Sequence, residues 1–268
     1  MSINLEKQFQ KIGADVKVIS AESNRARNAP TIALDIINIK GKELFEISIR
    51  EGLAELMDLS VLEVKKEERH LVLLAKLMDN EGAIIEKSHF LCGHDERHFF
   101  VAAVNGVSTV AAAKDSLKPI AIRRKESGKL ARKENRHKRK TELFKRQGEW
   151  FFVPEEIKPD KLKIRTYEPL TRDSASKPHI AQFAVRRGGE SVMVCFKYPN
   201  GLPTERYNRL IASNPKAKRW NWRPMQRQAI VYVKGQIRHP DHATIQLDGW
   251  HRVLMNSESR SEKVVFLD

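Results

Sequence analysis

Cysteine is almost missing from this chain: Cys92 and Cys195 are the only two in 268 residues, and they lie far apart. That excludes a disulfide-stapled scaffold. Long apolar runs are missing too. The longest, Phe99–Val104, has six residues, whereas a membrane helix needs about 20. Met1–Glu6 lacks the charged-then-apolar layout of a leader peptide. These gaps set the expectation of a reducing cytoplasm. No serine triad, phosphate-binding glycine loop or dinucleotide fingerprint is present, and lone glycines read as turns. Hydrophobic residues make up 41% and charged residues 31%, so the composition supports a packed core and excludes wholesale disorder.

Acidic residues are scarce where basic ones concentrate. The net charge is +15. Residues 123–146 hold twelve Lys or Arg and three Glu, a net of +9, which leaves +6 for the rest of the chain. Such a stretch suits a polyanion: nucleic acid, an anionic surface or an acidic protein face. Between Lys129 and Arg146 there is no Gly or Pro, and Glu134–Lys138 and Glu142–Arg146 are favourably ordered (i, i+4) pairs. The segment reads as an exposed helix or as a disordered arm that folds on binding.

Hydrophobic patterning on either side of this segment predicts strands. Leu5, Phe9 and Ile12 share a helical spacing that Gly13 can end. Ile32, Leu34 and Ile36 then alternate, as do Phe45, Ile47 and Ile49, with a hairpin turn at Lys40–Lys42. Short apolar runs recur up to Val104, and Ser108 is placed to cap a helix through Leu117. Beyond Gly148, runs such as Trp150–Val153, Val192–Phe196 and Ile230–Val233 are punctuated by Gly188-Gly189, Asn200-Gly201 and Asp248-Gly249. The expected fold is mainly β (α+β): a module over 1–120, a basic linker or helix over 121–147, and a second module over 148–268, each of barrel or sandwich type.

Three constellations carry chemistry. His239 and His242 flank a Pro-Asp turn, His251 follows Asp248-Gly249-Trp250, and His179 lies upstream. Imidazoles with nearby carboxylates suit zinc. The expected shell is His239, His242 and His251, completed by His179 or Asp241, with Asp248 behind it. The same residues also read as turn histidines and a strand histidine bonded to backbone. Cys92 and His94 share a face if extended, which reads as a nucleophile or ligand pair, or simply as a hairpin around a polar turn. Residues 206–227 hold Arg206, Arg209, Lys216, Lys218, Arg219, Arg223 and Arg227, no Asp or Glu, and Tyr207, Trp220 and Trp222 between them. On an extended chain the two indoles point the same way and can stack bases beside phosphate-holding cations. The alternative is that they cover a core. With these residues, Arg123, Arg124, Lys129, Arg132, Lys133, Arg136, Lys138, Arg139, Lys140 and Lys145 complete the expected nucleic-acid contacts.

The phrases Cys92–His98 (CGHDERH), Arg146–Pro154 (RQGEWFFVP) and Arg238–Thr244 (RHPDHAT) resemble those of a bacterial protein family with no established activity. The resemblance implies a bacterial, phage or mobile-element origin and supplies no catalytic residue. The expectation is a DNA- or RNA-binding accessory protein, non-catalytic, within a larger protein assembly and away from membranes, needing no cofactor. The alternatives are a metal-dependent hydrolase or nuclease built on the histidines, with zinc as its ion, and an adaptor docking on an acidic protein.

Overall fold

The computed structural model describes residues 2–21, 30–128, 136–171 and 177–258, and the fold is mainly β. These residues form two compact units. The first holds the described residues up to Lys138 together with Asn256 to Glu258. The second runs from Arg139 to Met255. No helix among the described residues is long and apolar enough to cross a membrane.

The first unit comprises α1 (Ser2–Gln10), β1 (Asp15–Ala21), β2 (Ile32–Ile39), β3 (Lys42–Arg50), β4 (Met57–Lys65), β5 (His70–Met78), β6 (Ile84–Asp95), β7 (His98–Val104), α2 (Val110–Ser116) and α3 (Ile120–Gly128). β1 lies parallel and β2 antiparallel to β3, while β4 to β7 form an antiparallel meander. Alternation determines which side chains turn inward. Leu34, Phe45 and Ile47 are buried against Leu5, Phe9 and Ile12, as their spacing predicts. β5 is apolar on both faces because it is covered on both. Leu71, Leu73, Ala75 and Leu77 join that first core, whereas Val72 packs with Leu91, Ala102 and the α2 residues Val110, Ala113 and Leu117. The cap of α2 is Thr109 rather than Ser108: Thr109 is extended and its hydroxyl accepts from Ala112 N–H at 3.2 Å.

The basic segment, read as an exposed helix or as an arm that folds on binding, is described in two parts: α3 covers Ile120–Gly128, residues 129–135 lie outside the described residues, and Arg136–Phe144 is irregular. The Thr141 hydroxyl takes the N–H groups of Leu143 (3.2 Å) and Phe144 (3.1 Å), and Phe144 is buried against Phe151, 5.2 Å between centroids. A turn that buries a phenylalanine outweighs surface ion pairs that contribute a few tenths of a kcal/mol each. The part of the segment in the first unit is anchored by Lys118, 3% exposed. Its ammonium donates to Glu126 (2.9 Å), Asp115 (3.0 Å) and the Arg136 carbonyl (2.7 Å). Arg136 pairs with Asp115 at 3.2 Å, so this cation is bound internally. Burial pushes the Asp115 carboxyl up, but its bonds to Lys118 and His137 outweigh that and hold it below the ordinary range.

The second unit comprises β8 (Lys145–Gln147), β9 (Trp150–Pro154), β10 (Arg165–Leu170), β11 (His179–Arg187), β12 (Glu190–Cys195), β13 (Tyr198–Pro203), α4 (Thr204–Ser213), β14 (Arg223–Arg227), β15 (Ile230–His239) and β16 (His242–Met255). One antiparallel sheet has the order β10-β11-β15-β16-β9-β8, and a smaller one the order β13-β12-β14. Among the described residues no sheet closes into a barrel. β11 and β15 are neighbours, with Arg187 opposite Ile230, so residues 188–229 are an excursion from that pair. They form the small sheet and α4 as a separate lobe. Gly189 sits at its neck with φ +91°, and a Cβ there would lie 3.0 Å from the Arg227 carbonyl. Asp248-Gly249 is not a turn. Val233 pairs with His251 and Gly235 with Leu247, so residues 248–250 bulge within β16 and bend it.

Two measurements test this packing. Lys118→Ala leaves the Glu126 carboxylate, 6% exposed, with only the more distant Arg136 at 3.8 Å among the described residues, while Asp115 keeps Arg136 and His137, so unfolding by denaturant should show a loss of about 3 kcal/mol, the low end for a broken buried pair. His70 is buried, bonds the Glu68 carbonyl through Nδ1, and has its pKa lowered to about 4 by burial and by Lys114. The folded state therefore binds fewer protons than the unfolded one. His70 stabilises fully above pH about 6.5 and progressively less as pH falls through 4, by up to roughly 3 kcal/mol. His70→Gln should flatten the stability profile across that window, and an unchanged slope would exclude His70 as its source.

Candidate functional site

Three of the four expected metal ligands meet. His239 and His242 pair directly across the two-residue turn Pro240-Asp241. The adjacent strand brings His179 beside them, since Ile180 is opposite Arg238. The rings form a stack: centroids lie 4.1 Å apart for His179–His239, 4.7 Å for His239–His242 and 5.6 Å for His179–His242. One donor atom from each lies within 4.8 Å of the others, so the three can hold a metal ion. His179 is 1% exposed, and neither of its ring nitrogens has a hydrogen-bond partner. Burial, and then its two histidine neighbours, lower its pKa to about 3, so it is neutral and offers a lone pair. His239 is also pushed down by burial and by His242. Its Nδ1 accepts from Asp241 N–H at 3.1 Å, so Nε2 carries the proton and donates to the Lys177 carbonyl at 3.3 Å.

The turn between β8 and β9 lies over the stack. Gly148 has φ +56°, and a Cβ on it would come within 2.9 Å of His242 Nε2 and 3.5 Å of His179 Nε2. Only a residue without a side chain brings the backbone this close. Beside it, the buried Gln147 amide donates to the Ala243 carbonyl at 2.6 Å and ties the turn to β16.

His251 is not part of this group. It lies nine residues beyond His242, opposite Val233 and Pro154, with Nδ1 on the Gly249 carbonyl at 2.8 Å. The bulge at 248–250 turns the strand before His251 is reached. Asp241 is held by Lys177 at 2.9 Å, and the exposed Asp248 faces Lys145 at 3.7 Å, so neither joins the shell. Cys92 and His94 make a hairpin strand rather than a reactive pair. Burial drives the Cys92 thiol far up, and the His94 ring packs edge-on to Phe99 at 5.1 Å.

The expected nucleic-acid contacts divide into two sets. Lys129, Arg132 and Lys133 lie outside the described residues. Arg123, Arg124, Lys138 and Lys140 are exposed. Arg136 is bound as described, Arg139 is half-buried and accepts from Arg146 N–H on its carbonyl at 2.7 Å, and Lys145 donates to the Gln246 carbonyl at 2.6 Å. In the lobe, Arg227 pairs with Glu190 and links β14 to β12. Arg206, Arg209, Lys216, Lys218, Arg219 and Arg223 are exposed and form no ion pair with a described residue. The two tryptophans do not lie on a strand. They follow a short 3-10 helix at Pro215–Arg219, yet their rings are parallel within 25° at 6.2 Å. Tyr198 stacks on both, Lys197 covers Trp220 at 4.0 Å, and Trp222 Nε1 donates to the Ala217 carbonyl at 2.8 Å. Tyr198, Trp220 and Trp222 thus form one compact aromatic cluster within the lobe.

Sequence reasoning missed Phe196. It occupies the two-residue tip between β12 and β13 with Lys197 and is 98% exposed. An isolated Phe within an apolar run reads as core; only the hairpin position reveals a ring in solvent. No protein-family model matches the chain, and neither does any curated protein or solved structure.

The tight turn over the histidines is testable. Gly148→Ala places a methyl against His242 and a side chain at left-handed φ, which should cost about 1–2 kcal/mol in the melting of the second unit. A neutral substitution would mean that Gly148 does not crowd the rings.

Proposed function

We propose that the chain is a nucleic-acid-binding protein whose 190–227 lobe contacts a single-stranded backbone and its bases. The observation that supports this reading best is Phe196, a fully exposed ring on a hairpin tip beside Lys197. In the same lobe, six exposed cations lack carboxylate partners among the described residues. Cations hold phosphates without reading sequence, and an exposed aromatic face accepts any base. Trp220 and Trp222 scaffold the tip in this reading and do not stack bases themselves, because their faces are engaged by Tyr198, Lys197 and each other. The chain then acts as a non-catalytic component of a larger assembly.

A second reading is favoured by one observation, the meeting of His179, His239 and His242. Three imidazoles without sulfur suit zinc, and a metal-dependent hydrolase is the activity such a centre serves.

Fluorescence anisotropy with a labelled oligonucleotide tests the first reading. Phe196→Ala should weaken binding by about 1–3 kcal/mol, roughly 5- to 150-fold. Replacing Lys216, Lys218, Arg219 and Arg223 by Gln should reduce the log–log salt slope by about 3, at about 0.7 per phosphate contact on a single strand. An unchanged affinity and slope in both variants would sink the reading.

A further inference from the structure

The histidine stack has a feature that zinc binding alone does not require. A closed structural zinc site takes four protein ligands, whereas a reactive one takes three and leaves a position to water. Here the converging set has three members, and no fourth His, Cys, Asp or Glu among the described residues joins it. The nearest candidate by sequence, Asp241, is turned to Lys177 with both carboxylate oxygens at 2.9 Å. Gln147 is anchored on the Ala243 carbonyl.

The scaffold around the three rings is pre-formed. They come from three neighbouring strands, β11 and the β15–β16 hairpin, so no loop has to fold to assemble them. Their donor atoms lie within 4.8 Å of one another. Tetrahedral zinc with bonds of about 2.0–2.1 Å needs nitrogens about 3.3 Å apart, so the rings close by at most roughly 1.5 Å when the ion enters. The Lys177 carbonyl takes Nε2 of His239, as the outer partner of a ligating imidazole does, and zinc entering at Nδ1 replaces the hydrogen bond that Asp241 N–H donates there at 3.1 Å. His179 has a further reason to accept a metal. A neutral imidazole buried with both nitrogens unsatisfied is unfavourable, and a metal–nitrogen bond engages its lone pair. The Gly148 backbone lies close against His242 and His179 Nε2, where any other residue would place a methyl in contact with them, so the turn brings no side chain to the rings.

We propose that His179, His239 and His242 form an open zinc centre, with three protein nitrogens and one exchangeable water. This rests on the second functional reading above and is independent of the basic lobe. Zinc lowers the pKa of a bound water to about 7, so the centre presents a hydroxide-type nucleophile at neutral pH. The fourth position also accepts small anions in place of that water.

The test uses the full-length chain, stripped with a chelator and reloaded with zinc or cobalt(II). Elemental analysis should find one zinc per chain. The cobalt form should show the visible bands of four-coordinate cobalt, and these should shift when azide is added. His239→Gln, at a half-buried position, should weaken zinc binding by more than about 100-fold, because loss of even an outer-shell partner costs about 10- to 100-fold. His98→Gln, on the exposed Glu43 pair of the first unit, should leave it unchanged, and circular dichroism of both variants separates ligand loss from misfolding. Absence of stoichiometric zinc, or equal binding by His239→Gln, would overturn the zinc reading together with the open centre. One zinc per chain with cobalt bands that ignore azide would overturn the open centre alone.

Discussion

The antiparallel pairing of His179–Arg187 with Ile230–His239 is the constraint on which both candidate sites depend. At one end it sets His179 beside the hairpin that carries His239 and His242. At the other end it releases the chain into residues 188–229, which return as the basic lobe. Eight residues of strand separate the two ends, about 26 Å at the rise of a β-strand. The register does this work because side chains alternate: a slip by one residue would turn His179 to the other face and remove it from the stack. The pair is not regular. Gly235, at φ +85°, leaves room for Gln182, whose carbonyl oxygen accepts from Gln236 N–H at 3.0 Å. The irregularity shifts the register by one residue between Ala181 and Phe183, so the histidine end and the lobe end each keep a regular alignment of their own.

The two sites differ in how their side chains are held. The histidines are fixed by backbone pairing and burial, so their electrostatics are those of a low-dielectric place: His179 and His239 are both driven toward the neutral form. The lobe is held by aromatic stacking and by the Arg227–Glu190 pair, which leaves its remaining cations to solvent. Internal use of charge also changes the meaning of the basic segment. Its +9 in sequence is not all free charge, since Arg136 pairs with Asp115 and Lys145 bonds the Gln246 carbonyl.

Much of the fold was legible because it follows from local alternation. Phe45, Ile47 and Ile49 read as a strand with one buried face, and they are one; Leu5, Phe9 and Ile12 read as a helical stripe and are buried together. The hairpin of His239 and His242 was legible from Pro240-Asp241 for the same reason. Features that depend on distant residues were not. His251 stood in a plausible place only while Asp248-Gly249 was taken for a turn; a bulge and a turn share the same residue types, and strand pairing decides between them. Of the two readings of residues 129–146, helix or folding arm, the described part from Arg136 is not helical, because Phe144 has a buried site that local propensity does not register. Gly148 and Phe196 owe their roles to position: one sits against two imidazoles, the other at a hairpin tip.

The pairing itself can be measured by cross-linking. Ile180 and Arg238 are direct cross-strand partners, and directly opposed residues have Cα atoms about 4.5–5.5 Å apart, within the range of a disulfide. Ile180→Cys combined with Arg238→Cys should form an intramolecular disulfide on mild oxidation, and Ile180→Cys combined with Lys234→Cys should not. Cross-linking of the Lys234 pair, with the Arg238 pair left reduced, would contradict the register and remove the alignment on which both sites depend.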